Sequence, residues 1–370
     1  MNIPYSPLIE VTRGDIVESL HFGAFAVVNS RGELLASHGN PQLVTFPRSS
    51  EKPLQALPFL EIDGDRHYGL STREIAILCA SHIGSDEHVA VVSELQRKTG
   101  IIEGNLLCGI HPPSDQVAQK QLEINHCVPT PNRNNCSGKH SGMLAHAALR
   151  HLPIVDYINP AHPLQQLILR SFSEMCELQQ KEIVTGIDGC SAPNHAVPLA
   201  KFALAFARLA DPWALPEPRA DACRRITHAM MNQPDMVSGP NRFDTKLMQL
   251  GSGRIISKAG AEGYQAIGLV PGALWKDSPG IGIAMKVSDG DTQDYQKVMH
   301  AQFDGDEPFH LTEHDSAERA RPCAVVELLR QLGALDKDSL YELRHHAARP
   351  LYNWRKIPVG EIRTAFHIAL

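Results

Sequence analysis

The hydrophobic residues follow three different patterns along the chain. Residues 7–37 contain β-branched and apolar runs on either side of a turn at 29–32, which predicts a β-hairpin. Across residues 49–253 the apolar positions mostly recur at helical spacing. Residues 255–270 and 280–291 are again rich in small and β-branched residues, so they predict strands.

Helices are predicted where capping residues and apolar periodicity coincide. The first begins at Ser49 or Ser50, because Pro53 is tolerated only in the first turn of a helix. The Gly- and Pro-rich segment 104–135 is predicted to be irregular, and a loop of this length is typical of a functional site. Further helices are predicted at 72–80, 86–103, 143–152, 162–180, 196–210, 220–233 and 315–333.

The order of these elements predicts a mixed α/β (α+β) fold. One antiparallel sheet would be formed by both ends of the chain, with a mostly helical lobe between them. We expect a single domain over residues 1–370, in which residues 1–48 and 254–370 bear the sheet and residues 49–253 form the helical part.

Composition and charge exclude two classes of partner. The net charge of −6, without a basic block, argues against nucleic acid and anionic membranes. No apolar run approaches the roughly 20 residues that a membrane span needs. The first residues lack the basic-then-apolar order of a signal peptide, so we expect a cytoplasmic protein. Its eight cysteines are then expected to be unpaired and mostly buried.

A serine–lysine motif lies between a strand-like run and a helix-like run. Ser49 precedes Lys52 by three residues, so on a helix the hydroxyl and the amine share one face. A lysine amine that is kept neutral by burial and by a second cation can accept the proton of a serine hydroxyl. The string alone is a weak signal, because a chain of this length contains about one or two such strings by chance.

Two further segments strengthen the signal. Serine acyl-transfer enzymes that use lysine combine S-x-x-K with a second hydroxyl in a loop and a K-x-G on a strand. Here Ser81, and then Lys258 with Gly260, follow Ser49 and Lys52 in that order. The glycine allows a substrate to approach the strand edge, and the second lysine favours a neutral amine on the first.

Two glycine-flanked turns hold cysteines beside other polar residues. Cys136, Lys139 and His140 stand at i, i+3 and i+4, which is one face of a helix, and Asp188 and Cys190 lie in the second turn. Thiolate, nitrogen and carboxylate groups are the ligands of tetrahedral zinc sites. Two buried thiols without a metal are the alternative interpretation, because the C-x-x-C spacing of zinc fingers is absent.

Six segments in this order closely resemble the class 3 L-asparaginases, the rhizobial-type asparaginase II family. The similarity extends over nearly the whole chain. The segments are 47–56 (PRSSEKPLQA), 80–88 (ASHIGSDEH), 134–144 (NNCSGKHSGML), 185–194 (TGIDGCSAPN), 257–263 (SKAGAEG) and 282–291 (GIAMKVSDGD).

The resemblance implies a fold similar to that of serine β-lactamases, transpeptidases and glutaminases, and it implies a homodimer. It implies hydrolysis of L-asparagine to L-aspartate and ammonia. Two serine–lysine pairs define the active site of this family, and they fall here on Ser49 with Lys52 and on Ser81 with Lys258.

The resemblance also implies a zinc site, which falls here on Cys136, Lys139 and Cys190, with Asp188 beside it. Lysine is a rare zinc ligand because its amine must be neutral, and His140 is the more usual type of donor. The choice between these two nitrogen ligands stays open at this point.

These observations lead to a specific hypothesis about the mechanism. Ser49 attacks the side-chain amide carbon, Lys52 accepts its proton, and Ser81 with Lys258 completes a proton relay or exchanges roles with Ser49. Zinc would not be the source of the nucleophile. The residues expected to bind the substrate are Arg48 for its α-carboxylate, Asp188 for its α-ammonium group and the neighbouring His140.

Two other interpretations stay open. The same serine–lysine site would serve a glutaminase or another amidase of this type. A protein of a different class, a zinc-binding regulatory or scaffold protein, would leave Ser49 and Lys52 inert. Such a protein has no reason to hold Ser81 and Lys258 together, and this distinguishes it from the enzyme.

Overall fold

Strands from both ends of the chain lie side by side in the computed structural model, which describes residues 4–291, 301–302, 310–311 and 319–368. The strands are β1 Ser6–Arg13, β2 Ile16–Asn29, β3 Leu34–His38, β4 Val44–Thr45, β5 Val184–Ile187, β6 Pro193–Pro198, β7 Ile255–Gly260, β8 Tyr264–Leu269, β9 Ile281–Val287, β10 Ala301–Gln302, β11 His310–Leu311, β12 Arg349–Tyr352 and β13 Pro358–Thr364.

In the sequence, most helices lie between the strands near the N-terminus and those of the C-terminal third. The α-helices are α1 Lys52–Leu60, α2 Gly64–His67, α3 Thr72–Leu78, α4 Asp86–Thr99, α5 Gln116–Ile124, α6 Ser137–Leu149, α7 Pro163–Met175, α8 Leu199–Ala210, α9 Glu217–Asn232, α10 Pro234–Val237, α11 Phe243–Leu250, α12 Ala320–Leu332 and α13 Lys337–Glu342. Short 3₁₀ helices are formed by Arg48–Glu51, Glu103–Asn105, Pro131–Arg133 and Gln180–Glu182. No described helix has the length and apolar character that crossing a bilayer requires.

The large sheet has the strand order β12-β13-β1-β2-β9-β8-β7, and β3 also pairs with β2. Every pairing in it is antiparallel. Its strands come from the first 38 residues and from the C-terminal third of the chain. The predicted mixed fold, with an antiparallel sheet made from both chain ends, is therefore confirmed. A small sheet, β4-β6-β5, lies among the helices.

The large sheet has hydrophobic cores on both faces, because the side chains of a strand alternate in direction. On β2, Ala24 and Ala26 belong to the core shared with α8 and the helical part of the chain. Phe25 and Val27 belong to the core on the other face, which α12 covers. The central strands are therefore buried on both sides.

Helix α6 packs directly against α3 in the helical part. A Cβ atom at Gly138 would lie 2.2 Å from the carbonyl oxygen of Ile77, so only glycine permits this approach. The contact brings the segment that begins at Cys136 close to the end of α3, where Ser81 follows.

Several predicted boundaries are wrong for local reasons. The segment 104–135 contains helix α5, whose N-terminus is capped by the side chain of Asp115. Residues 196–198 belong to strand β6, because they pair with β5 and β4, and the helix begins only at Leu199. The predicted helix at 315–333 is α12, and residues 315–318 lie outside the described residues.

Candidate active site

The serine–lysine motif forms a turn that packs against strand β7. Arg48–Glu51 is a 3₁₀ helix that continues directly into α1. The Ser50 hydroxyl donates to the carbonyl oxygen of Lys258 on β7 at 2.7 Å. A Cβ atom at Gly260 would lie 2.2 Å from the carbonyl oxygen of Pro47, so the glycine predicted at this edge is needed for the close approach.

Ser81 contacts both lysines of the predicted site. Lys52 Nζ and Lys258 Nζ each lie 2.9 Å from Ser81 Oγ. Both lysine side chains are almost fully buried. The structure therefore gathers three of the four predicted catalytic residues around a single hydroxyl group, although they are far apart in the sequence.

Ser49 lies in the same cleft as Ser81 and Lys258. Within the described part of the chain, however, its hydroxyl makes no direct hydrogen bond to Lys52. The three protons of a lysine ammonium are already used, because Lys52 also donates to the carbonyl oxygens of Ala80 at 2.5 Å and Asn135 at 3.3 Å. The first of the two predicted serine–lysine pairs is thus adjacent but not directly bonded.

The two amines have different electrostatic surroundings. Burial, and then the charge of neighbouring Lys52, lower the pKa of Lys258 from its ordinary value of 10.5 to about 7, and the carboxylate of Asp244 opposes this shift. Near neutral pH a large fraction of Lys258 is therefore uncharged. A neutral amine beside Ser81 can take a proton from its hydroxyl.

Arg48 and Asp188, the two residues predicted to bind the substrate's charged groups, contact each other. Arg48 Nε donates to Asp188 Oδ1 at 2.5 Å, and the Arg48 side chain stays 29% exposed. Burial opposes ionisation of Asp188, but Lys139 and Arg48 hold the pKa of its carboxyl group below the usual value. A fixed pair of opposite charges matches the carboxylate and ammonium groups of a free amino acid.

Cys136, Lys139 and Cys190 form a buried cluster near these charges. Lys139 Nζ donates to Cys190 Sγ at 2.9 Å. The hydrogen bond with Cys190 lowers the pKa of Cys136. Burial works against a charge on Lys139, but the two cysteines raise its pKa. The contact that the sequence predicted between the two cysteine turns is present.

The donor chemistry of this cluster fits zinc. Besides the two thiols, the cluster includes His140, whose Nε2 atom is buried without a hydrogen-bond partner and lies near Cys190. The other ring nitrogen of His140 is hydrogen-bonded to the Tyr157 hydroxyl at 2.6 Å, as is common for histidine ligands of metals. In the described residues, no three His, Cys, Asp or Glu side chains are gathered around one point as a metal-binding group.

The cleft beside the serines has a volume of about 350 Å³. One of its lining residues is a cation that the sequence analysis did not identify, Arg242, whose guanidinium donates to the Ser114 hydroxyl at 3.2 Å. Arg242 follows a loop of small residues at 238–240, which the sequence alone does not connect with the site.

Asp244 is a second residue that the sequence analysis missed. Its buried carboxylate accepts hydrogen bonds from the Ser257 hydroxyl and the Ala259 backbone N–H, both at 2.7 Å. These two residues flank Lys258 on β7, so Asp244 holds the strand that carries the lysine. A lone aspartate on an amphipathic helix has no sequence signature that would reveal this contact.

Comparison with solved structures finds chains of low similarity. One is the Bacillus subtilis glutaminase YbgJ in covalent complex with 5-oxo-L-norleucine, formed by reaction with 6-diazo-5-oxo-L-norleucine. It has 12% identity and a TM-score of 0.31, over 72% of this chain and 80% of that one. A probable glutaminase of Bacillus subtilis has 12% identity and a TM-score of 0.32, over 72% and 81%. No curated protein matches the sequence.

A family model gives the clearest comparison. The model described as L-asparaginase II matches residues 9–305, which include the turn with Ser49 and Lys52, Ser81, the two cysteine turns and Lys258. The match covers well over half of the chain. The protein therefore belongs to the L-asparaginase II family and is an amidohydrolase.

Proposed function

We propose that the protein hydrolyses L-asparagine to L-aspartate and ammonia, with Ser49 as the nucleophile. The observation that carries this proposal is the Ser81 hydroxyl, which is hydrogen-bonded to two buried lysines at the edge of the cleft that also holds Ser49. Burying two amines around one hydroxyl costs folding free energy, and groups perturbed in this way cluster at functional sites.

A chain of hydrogen bonds would make Lys52 a base for Ser49. Lys258 in its neutral form takes the proton of Ser81, and Ser81 in turn takes a proton from Lys52. Lys52 is then neutral, and its amine would have to turn towards Ser49, to which it is not hydrogen-bonded in the structure, to accept the Ser49 proton.

The chemistry follows in two steps. The Ser49 O–H bond breaks, its proton passes to Lys52, and Oγ forms a bond with the side-chain carbonyl carbon of asparagine. The backbone N–H of Ser49 has no intrahelical acceptor at this position and can stabilise the oxyanion. When the C–N bond breaks, the proton returns to the leaving nitrogen and ammonia departs. Water then hydrolyses the ester and releases aspartate.

Substrate recognition would use the charges on the other side of Ser49. The free N–H groups of the Arg48 guanidinium would bind the α-carboxylate, and Asp188 would bind the α-ammonium group, with His140 lining the same region. Arg242 lines the cleft and is a competing partner for the carboxylate. If Arg48 is the partner, Arg48→Gln raises KM strongly and Arg242→Gln does not.

We also propose a zinc ion held by Cys136 and Cys190 and by one nitrogen ligand, either Lys139 or His140. When bound, the ion would supply a fixed positive charge that orients the substrate. Elemental analysis of the purified protein should find about one zinc per chain and much less in a Cys136→Ser variant. Comparing the zinc content of Lys139→Met and His140→Ala then identifies the nitrogen ligand.

The first experiment is ammonia release from L-asparagine and L-glutamine by the purified protein. We expect release from asparagine, and a Ser49→Ala variant should lose about 10³-fold or more in kcat. Ser238→Ala is the matched control, because Ser238 lines the same cleft and, among the described residues, is not hydrogen-bonded to Lys52 or Lys258. Faster turnover of glutamine would identify a glutaminase, and no release from either substrate would favour the zinc-binding scaffold.

Covalent labelling separates the roles of the two serines. A diazoketone analogue of asparagine should attach to the nucleophile, and mass spectrometry of the digested protein should find the adduct on the peptide with Ser49. An adduct on the peptide with Ser81 would mean that the two serines exchange the proposed roles.

A homodimer and a cytoplasmic location complete the proposal. Large apolar side chains are exposed at Ile16, at the start of β2, and at Trp354, between β12 and β13. Surfaces of this kind support association with a second copy. The eight unpaired cysteines are typical of a reducing compartment. Light scattering on the eluting protein and fractionation of source cells test these two statements.

A further inference from the structure

The residue before Ser49 has an unusual backbone conformation. Arg48 has a φ of +52°, in the left-handed region that residues with a Cβ atom rarely adopt. Such conformations persist only where surrounding contacts enforce them, and they often occur at functional sites. The contacts that hold Arg48 in place therefore also determine where Ser49 lies.

One side chain bonds to both backbone groups of Arg48. Asn194 Oδ1 accepts from the Arg48 backbone N–H at 3.2 Å, and Asn194 Nδ2 donates to the Arg48 carbonyl oxygen at 3.1 Å. Asn194 lies on β6 and is buried. The side-chain amide of Asn194 thus bonds to the N–H and the carbonyl group of Arg48, as a neighbouring strand would. These two hydrogen bonds oppose the return of Arg48 to a negative φ.

The orientation of that amide is itself fixed. Asn194 Nδ2 also donates to Glu51 Oε2 at 2.7 Å, and Glu51 has no exposed surface. The same carboxylate accepts from the backbone N–H of His195 at 3.1 Å and is hydrogen-bonded to the His195 ring. Because a carboxylate only accepts, the NH₂ group of Asn194 faces Glu51, and its carbonyl oxygen must face the Arg48 N–H.

We propose that Asn194, oriented by Glu51, is a positioning residue that holds Ser49 in its reactive place through the backbone of Arg48. The inference rests on the proposed role of Ser49 as the nucleophile. The turn is held on its other side by β7, where Ser50 and Gly260 contact it, so loss of Asn194 would release one side only.

The test compares Asn194→Ala with Asn29→Ala. Asn29 is an equally buried asparagine that also donates to a carboxylate, Glu33, and accepts from two backbone N–H groups, but it is the last residue of β2, before the turn to β3. For Asn194→Ala we expect kcat to fall about 100-fold with KM nearly unchanged, because a small displacement of a nucleophile has such an effect. Asn29→Ala should retain the wild-type kcat.

A second variant and a second readout keep the result clear. Asn194→Ser keeps a hydroxyl that can donate to Glu51 but cannot bond to both backbone groups of Arg48, so its kcat should lie between wild type and Asn194→Ala. Hydrogen exchange of the Arg48 amide reads the contact without any substrate. It should accelerate about tenfold or more in Asn194→Ala and remain unchanged in Asn29→Ala.

The outcomes distinguish the two proposals. If the wild-type protein releases no ammonia, the proposed function fails, and exchange of the Arg48 amide still decides whether Asn194 holds the turn. If both variants of Asn194 fold and keep the wild-type kcat, or if exchange at Arg48 is unaffected, the role proposed for Asn194 is wrong. If Asn194→Ala does not fold, the kcat and amide exchange of Asn194→Ser decide by the same criteria.

Discussion

Two buried lysines of the candidate active site, Lys258 and Lys139, have opposite electrostatic properties. Lys258 is near another amine, and its pKa is lowered to about 7. Lys139 is near Cys136 and Cys190, whose negative charge when they are ionised raises its pKa. Both side chains are almost completely buried. The difference shows that burial alone does not determine the charge of a lysine; the sign of its nearest charged neighbours does.

The same difference separates two kinds of chemistry. A lysine with a lowered pKa can accept a proton at neutral pH, and a lysine with a raised pKa can only donate hydrogen bonds. Lys258 therefore suits a proton relay, whereas Lys139 stabilises the cysteine cluster around it. Substitution of Lys258 should lower activity and raise stability, whereas substitution of Lys139 should lower the stability of the metal-free protein.

The largest expected effect is on catalysis. Lys258→Met removes the neutral amine next to Ser81, and we expect kcat for asparagine to fall about 10³-fold, within the usual range for a lost acid–base group. Steady-state ammonia release measures this effect, with Lys286→Met on strand β9 as a buried-lysine control. Activity within tenfold of wild type would show that Ser81 does not need Lys258.

A smaller effect is expected on stability at the other lysine. In metal-free protein, Lys139→Met leaves the Cys190 sulfur without its buried donor, so the free energy of unfolding should fall by about 2–3 kcal/mol. Urea denaturation in the presence of a chelator measures the change. An unchanged midpoint would indicate that the amine and the thiols do not interact strongly.

Lys258→Met should have the opposite effect on stability. Removing an amine that is desolvated and repelled by Lys52 should raise the free energy of unfolding at pH 7 by about 1–2 kcal/mol. The same denaturation experiment checks this value. A destabilised variant would contradict the view that function keeps this amine buried.

The pH dependence gives the finest test. Because the folded-state pKa of Lys258 is about 7 and its ordinary value is 10.5, the neutral amine becomes more abundant as the pH rises through 7. We expect kcat/KM to rise up to about tenfold per pH unit below pH 7 and to level off above it. A kcat/KM that stays constant between about pH 5.5 and 8 would exclude Lys258 as the titrating base.

The same shift predicts how stability depends on pH. Between about pH 7 and 10.5 the unfolded chain binds one more proton at Lys258 than the folded chain. The buried Lys258 therefore lowers the free energy of unfolding by its full amount below pH 7. This destabilisation becomes smaller as the pH rises from about 7 to 10.5. In Lys258→Met this part of the dependence should disappear.

The sequence predicted the elements of the site better than their contacts. Three features were accessible from local patterns or from a known motif order. They are the hairpin before the motif, the strands near both chain ends, and the order of Ser49, Lys52, Ser81 and Lys258. That Lys52 would bond to Ser81 rather than to Ser49 was not accessible. It depends on how α1 packs against α3, which no local pattern encodes.

The supporting residues were the least accessible. Asn194 lies next to the second cysteine turn, but its role depends on the φ of Arg48, about 150 positions earlier in the chain. Asp244 and Arg242 lie on or next to α11, a helix that was not predicted. A single polar residue that supports a distant loop leaves no periodic or compositional trace.

The contact between α6 and α3 at Gly138 has a consequence for how this protein can change. Helix α6, which carries Lys139, contacts the backbone of α3 at Ile77, just before the segment that carries Ser81. The contact is so close that there is no room for a side chain at Gly138. A single methyl group at this position would push the cysteine cluster away from the serine–lysine group while leaving every reactive atom intact. The distance between the cysteine cluster and the serine–lysine group is thus set by the absence of a side chain at Gly138, although this residue takes no part in the chemistry.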